Sequence, residues 1–387
     1  MSLMGTPLLI LLAVLAMAFP VGAVLYWHRI PGPRPVRTGT RAGLLVASQL
    51  TAVLLVAAAL NDYGAFYSSW GSLLNRRLHN VHITASIGHR DGEPTRRVDP
   101  APATAGRITL QVDPPYAGRA QWATRGRLQS VIISGASSGL HEHAFVYLPP
   151  QYFQPKYART RFPALEVMSG YPGSERDLIT GMNYPTLLTS LILQHRVRPT
   201  VLVLLLPSVT YPHDTECTNV PAGPQAETFY AGDIPSQVAH DYRVLATGWG
   251  AIGGSTGGYC AAKFAMLHPR VFHAAVSIQG YYVALKDHTT GDLWGGSSVL
   301  RNLNDLEWRL RTMPAPPVSI MVVSTLDQRG PYGHLDTERF ASLVKAPMAV
   351  QTVMYPHGGH NIATWRIGLS DELAWLSARL PGPVPVG

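Results

Sequence analysis

Two apolar runs without a charged residue stand near the start of the chain, at residues 7–27 and 42–60. Each approaches the ~20 residues that carry a helix across the hydrocarbon of a bilayer. The pattern therefore predicts two transmembrane helices, with Pro20 placed to kink the first. A cleaved signal peptide is the competing reading of the first run, but residues 1–6 hold no Lys or Arg to serve as its basic leader. Residues 76–127 are rich in Pro, Gly, Ala and Arg and read as a connecting segment with one strand at Arg107–Val112. From Arg127 onward, short apolar runs alternate with helical stretches. Strands are predicted at Leu128–Ser134, Ala144–Leu148, Ala164–Met168, Val201–Leu206, Gly250–Gly254, Ala274–Ile278, Val318–Ser324 and Val350–Tyr355. The later ones show no apolar–polar alternation, as in a parallel sheet covered on both faces. Helices are predicted at Pro185–Gln194, Ile234–Leu245, Gly257–Leu267, Leu300–Leu310, Thr337–Lys345 and Asn361–Leu380, where crossovers between parallel strands require them. The expected fold is α/β: a membrane anchor over 1–75, then a doubly wound, mostly parallel sheet over 128–382. Its site should lie at the carboxyl ends of the strands.

The chain of 387 residues is 46% hydrophobic and only 14% charged, with 36 Gly and 32 Pro. So little charge agrees with a membrane component. Between the two apolar runs, His28 to Arg41 carries Arg29, Arg34, Arg37 and Arg41 and no acid. The positive-inside rule puts this loop in the cytoplasm and everything after Leu60 outside. Tyr63, Phe66, Tyr67 and Trp70 then suit an aromatic belt at the outer interface, or else the first contacts of the folded domain. Those four arginines account for much of the net charge of +8. The outer domain is left mildly basic, which suits membrane lipid or an anionic wall polymer as neighbour. Zinc-ligand spacing, a P-loop and nucleic-acid motifs are all missing, so no metal, cofactor or nucleic-acid partner is expected. His141-Glu142-His143 places two imidazoles on one strand face. Without a third ligand it reads as the polar face of an edge strand.

The chemistry concentrates in Gly253-Gly254-Ser255-Thr256-Gly257, a G-x-S-x-G pattern between a predicted strand and a predicted helix. There a sharp turn exposes a serine as nucleophile, with the helix N-terminus aimed at its oxygen. A serine needs a base, and the base an orienting acid, in the chain order Ser…Asp/Glu…His for this kind of domain. His360, after two glycines and at the start of the last helix, is the predicted base, with His357 its rival. Asp327, just beyond the strand Val318–Ser324, is the predicted acid, with Asp336 and Glu338 as alternatives. The backbone N–H groups of Thr256 and Tyr171 are the predicted oxyanion donors, Tyr171 lying in the loop Ser169–Gly173. Tyr281, Tyr282 and Trp294, in a Gly-rich excursion, are candidates for an acyl pocket or lid. The two cysteines are Cys217, in a polar loop after a central strand, and Cys260, one turn into the nucleophile helix. An oxidising exterior would permit a disulfide between them, two buried thiols being the alternative.

Residues 128–380 resemble the putative-esterase branch of the α/β-hydrolases, which includes esterase D-like enzymes and secreted mycolyltransferases. The matching residues are Phe145–Tyr152, Ser169-Gly170-Tyr171, Gly253–Gly258, Pro269–Phe272 leading to Gln279-Gly280, and Gly358-Gly359-His360. Asp214-Thr215-Glu216-Cys217 with Gly258-Tyr259-Cys260 resembles an extracytoplasmic subgroup, and this implies both the disulfide and the exterior placement. The chain departs from the mycolyltransferases at His360-Asn361, where they carry His-Ser-Trp, and in its Asp in place of their Glu acid. The expected protein is a membrane-anchored, extracytoplasmic serine esterase or acyltransferase that passes through an acyl-enzyme. Its partners would be a small-molecule or lipid acyl ester and membrane lipid. The alternatives are mycolyltransferase-like transfer to an envelope acceptor and a non-catalytic binding protein on a hydrolase scaffold.

Overall fold

The apolar runs form helices α1 (Thr6–Tyr26) and α2 (Arg34–Gly64). Both are long and apolar enough to cross a membrane. The computed structural model describes residues 6–27, 29–64, 106–112, 114–210, 213–326, 328 and 333–385. Phe66, Tyr67, Trp70, most of the connecting segment and Asp327 lie outside the described residues. The basic stretch expected as a loop is mostly helical. Arg34, Arg37 and Arg41 form the opening turns of α2, because a proline at the second helical position is tolerated and nothing after it breaks the helix. The Arg41 guanidinium donates to the Trp27 carbonyl (2.6 and 3.1 Å) and lies over the Trp27 ring, closing the turn between the helices.

The chain falls into two compact units. In the larger one the strands are β1 (Arg107–Val112), β2 (Arg127–Ser134), β3 (His141–Leu148), β4 (Thr160–Arg161), β5 (Ala164–Met168), β6 (Val201–Leu205), β7 (Trp249–Gly254), β8 (Phe272–Ile278), β9 (Ser319–Thr325), β10 (Ala349–Tyr355) and β11 (Val384–Pro385). Nine of them form one sheet in the order β1-β2-β3-β6-β5-β7-β8-β9-β10, while β4 pairs with β11. β1, β2, β3 and β6 pair antiparallel, and β6 through β10 run parallel. β3 is therefore not an edge strand, although only Phe145–Tyr147 pair with β6 and the His141–Ala144 end is free on that side.

Its helices include α3 (Glu175–Thr180), α4 (Tyr184–Leu193), α5 (Ile234–Asp241), α6 (Thr256–Leu267), α7 (Ser298–Asn304), α8 (Leu306–Thr312), α9 (His334–Leu343), α10 (Ile362–Trp365) and α11 (Leu369–Arg379). They cover both faces of the sheet. Gly250 faces Leu376 and Leu380 at the end of α11, while its neighbour Ala251 joins the core formed with Val238 of α5, Phe264 of α6, Leu310 of α8 and Phe340 of α9. Every residue of β5, β6 and β7 is buried, which is why those strands read as unbroken apolar runs. Two predicted helices are each split in two. Asp305 ends α7 and caps α8 by accepting the Trp308 amide (2.8 Å). The Asn361–Leu380 helix breaks at Arg366–Gly368. The predicted Ile234–Leu245 helix stops at Asp241.

Candidate active site

Ser255 stands where β7 turns into α6, with φ 56° and ψ −122°. A non-glycine residue pays for that left-handed backbone, and strain of this kind persists only where the surroundings enforce it. They do so here. The Ser255 amide donates to the Ile278 carbonyl at the end of β8 (2.9 Å). A Cβ on Gly253 would collide with the Gly257 backbone, and one on Gly257 with the Ser169 carbonyl. Both pattern glycines are thus required by close backbone approach. From Gly248 to Met266, Ser255 alone is not buried. The turn lifts one hydroxyl out of an otherwise closed segment and sets it on the N-terminus of α6, where the first N–H groups have no partner within the helix.

The loop after β5 comes against this turn. A Cβ on Gly170 would sit 3.3 Å from the Ser255 Cβ and 3.4 Å from the Gly254 carbonyl. The Gly173 amide donates to the Gly170 carbonyl (2.8 Å), tightening the loop, and Ser174 caps α3 directly after it. Tyr171 is the residue beyond Gly170, and Thr256 is the first residue of α6. The segments carrying both predicted oxyanion donors therefore meet at the serine.

His360 lies in the loop between β10 and α10. Gly358, before it, accepts the Thr325 hydroxyl (2.8 Å). Trp365, after it, donates its indole N–H to Gln279 (2.7 Å), and its ring would be met by Cβ atoms built on Gly254 and Gly170. The Gln279 amide group in turn donates to the Thr325 hydroxyl (3.3 Å). Trp365, Gln279, Thr325 and Gly358 are thus bonded to one another at the carboxyl ends of the central strands. Burial pushes the His360 imidazole below its ordinary value, whereas His357 is exposed. Of the carboxylates, Asp327 is outside the described residues, Asp336 pairs with Arg339 (2.5 Å) and Glu338 is exposed on α9. Gln279 and Trp365 were missed as site residues. The only signal in the sequence was Gln279 in the family-like Gln279-Gly280 pair.

The Cys217–Cys260 disulfide is present, with Cα atoms 5.9 Å apart. Tyr281, Tyr282 and Trp294 are all buried. The Tyr281 ring stacks on Tyr259, and its hydroxyl donates to the Thr256 hydroxyl (3.3 Å). Tyr282 stacks on Phe340, and Trp294 packs with Ala284 and Leu293. His143 is engaged by a different set: Nδ1 lies 2.7 Å from Glu175 and Nε2 lies 2.8 Å from the hydroxyl of Ser130. Burial pushes Glu175 up, but the hydrogen bond and charge of His143 outweigh it and hold the carboxyl below its usual range. Among the described residues no cluster of His, Cys, Asp and Glu could hold a metal ion.

A family model described as "Putative esterase" matches residues 136–376. The fold is similar to an S-formylglutathione hydrolase from Agrobacterium tumefaciens (14% identity, TM-score 0.56, 67% of this chain and 97% of that one). It is also similar to a ferulic acid esterase (14% identity, TM-score 0.54, 67% and 100%). A third similar structure is FphF, a fluorophosphonate-binding serine hydrolase of Staphylococcus aureus (18% identity, TM-score 0.50, 65% and 98%). No curated protein matched the sequence.

Proposed function

The chain belongs to the esterase family and is a carboxylic ester hydrolase, and from that premise we propose that it is a membrane-anchored serine esterase acting through Ser255, His360 and Asp327. Ser255 attacks the acyl carbonyl. His360 takes the serine proton and later returns it to the leaving alcohol, and Asp327 holds the imidazole in the tautomer this needs. The N–H groups of Thr256 and Tyr171 stabilise the tetrahedral oxyanion, a contribution of about 10²–10³ in kcat per donor. The observation that carries this reading is the strained backbone of Ser255, the one unburied residue between Gly248 and Met266. A lowered imidazole pKa supports His360 as base, because more of it is neutral near pH 6.

The substrate class we infer is an acyl ester, from a small molecule or a lipid, and the acyl-enzyme is resolved by water or by an alcohol. The anchor is α1 and α2. Arg29, Arg34, Arg37 and Arg41 keep the turn between them in the cytoplasm, which leaves the esterase domain on the outer side with its disulfide. The test is labelling of the full-length protein with a fluorophosphonate probe, followed by a panel of acyl esters of rising chain length with and without alcohol acceptors. Labelling that is lost in Ser255→Ala supports the reading, and no labelling of the folded wild type overturns it. Ester products that form only with an acceptor would shift the assignment from hydrolysis to acyl transfer.

A further inference from the structure

Behind the first turn of α6 lies a buried polar cluster that the reaction above leaves unused. Asp214, 2% exposed, and the wholly buried Glu216 stand on the loop after β6. One Asp214 carboxyl oxygen accepts the Thr256 hydroxyl (2.8 Å), and the other accepts the Glu216 amide (2.9 Å). The Asp214 amide donates to the Thr289 carbonyl (3.0 Å). The Thr256 hydroxyl also accepts from Tyr281 (3.3 Å). Tyr281 stacks on Tyr259 with centroids 4.9 Å apart, and the Tyr259 amide donates to the Ser255 carbonyl (3.0 Å). The disulfide fastens the same loop to the same turn.

This cluster is an expensive way to hold a helix in place. A buried carboxylate costs free energy that an apolar side chain of similar size would not, and the disulfide already joins loop to helix. What the carboxylate adds is specific to one residue. With its hydroxyl bonded to Asp214 and to Tyr281, the Thr256 side chain anchors the residue at the start of α6 to the loop after β6. That residue follows the nucleophile and carries a proposed oxyanion donor. We propose that Asp214 is a positioning residue for the oxyanion hole: by accepting the Thr256 hydroxyl it orients the Thr256 N–H toward the oxygen that becomes charged when Ser255 attacks an acyl ester. The inference rests on the catalytic reading of Ser255 and Thr256.

An effect confined to the transition state lowers kcat and leaves KM in place. Misplacing such a donor costs up to about 10²-fold. A pH signature accompanies it. Burial pushes Asp214 up to about 6 against the pull of the Glu216 amide and the Thr256 hydroxyl. The groups facing it are Glu216 from its own loop, Asp287 and Tyr281 from the segment after β8, Tyr230 before α5 and Tyr259 on α6, while Lys263 of α6 acts on Glu216. As pH falls through that value Asp214 gains a proton and stops being a charged acceptor. The wild type then loses kcat through two protonations, Asp214 and His360, and Asp214→Asn through His360 alone. Below about pH 6 log kcat should therefore fall more steeply in the wild type than in Asp214→Asn, whose fall of about one per pH unit comes from His360 alone.

The experiment uses the full-length protein in detergent, with p-nitrophenyl butyrate as probe substrate and fluorophosphonate labelling in parallel. Asp214→Asn and Thr256→Val should each lower kcat by about 10- to 100-fold with KM within twofold. The double variant should be no worse than the poorer single one, and Thr256→Ser, which keeps the hydroxyl, should restore kcat to near the wild-type value. If Asp214→Asn fails to fold, the Thr256→Val and Thr256→Ser pair carries the same test. The inference is overturned if Asp214→Asn retains kcat within twofold, if the losses multiply in the double variant, if KM rises in step with the loss, or if Thr256→Ser is as poor as Thr256→Val. A folded wild type inert to the fluorophosphonate would instead bring down the catalytic reading itself, and this inference with it.

Discussion

Ser130 and Ser255 stand in contrasting polar settings, and Ser255 is the one we propose as nucleophile. Ser130 on β2 lies 2.8 Å from His143, whose other ring nitrogen lies 2.7 Å from Glu175. On contact geometry alone this is a serine–histidine–carboxylate relay. Yet Ser130 is wholly buried in an extended strand paired on both sides. Ser255 has a strained turn, partial exposure, a helix N-terminus and the Gly170 loop beside it. The difference teaches that a relay of hydrogen bonds does not make a nucleophile. Access for an acyl group and donors placed for the oxyanion do, and both come from the backbone around the serine. The Ser130 set instead ties α3, which follows the Tyr171 loop, to β3.

The largest effect should separate the two serines. Ser255→Ala is expected to lower kcat for ester hydrolysis by about 10⁴-fold or more at unchanged fold. A loss of less than tenfold on purified protein would end the assignment. Next comes the orienting acid. Asp327→Asn should cost on the order of 10³- to 10⁴-fold in kcat, whereas Asp336→Asn, which breaks the pair with Arg339, should act through thermal stability alone. If Asp336→Asn proves the more damaging to kcat at equal stability, the carboxylate is misassigned.

The disulfide sharpens the contrast in how each serine is held. Ser130 sits in a hydrogen-bonded ladder, while the Ser255 helix is fastened across 43 residues of sequence by Cys217–Cys260. Loss of that bond in Cys217→Ser/Cys260→Ser should cost about 4 kcal/mol of folding stability in the chain-entropy picture. Denaturant unfolding of the double variant measures it, and a shift under ~1 kcal/mol would show that the clamp is dispensable. For the two histidines, pH is the probe. Burial lowers the His360 pKa, so the acid limb of kcat that belongs to His360 should fall below the ordinary value of 6.5. As pH drops through that limb His360 gains its proton and ceases to act as base. An acid limb unchanged in His360→Gln would assign it elsewhere. The smallest effect is expected at Ser130→Ala, with kcat within about threefold of wild type and a modest drop in Tm. A loss approaching that of Ser255→Ala would erase the comparison.

What the sequence by itself determined is local. The G-x-S-x-G turn, the apolar strand runs and the two long apolar helices each depend on sterics and periodicity within a few residues, and each is where the pattern places it. The Cys217–Cys260 pair follows from the exterior placement and the family resemblance, the cysteine count alone leaving two thiols equally open. Boundaries set by capping were not: Asp305 as both stop and start of a helix, and α2 opening already at Arg34, depend on which competing backbone bond wins. The rest needed the tertiary structure. Asp214 meets Thr256 across 42 residues, Glu175 meets His143 across 32, and Trp365 meets Gln279 across 86. Such partners are chosen by the sheet order β3-β6-β5-β7-β8-β9, in which crossovers place distant strand ends side by side. No spacing along the chain encodes which of several buried carboxylates will arrive at the hydroxyl of Thr256, because that is decided by the packing of whole strands and helices against one another.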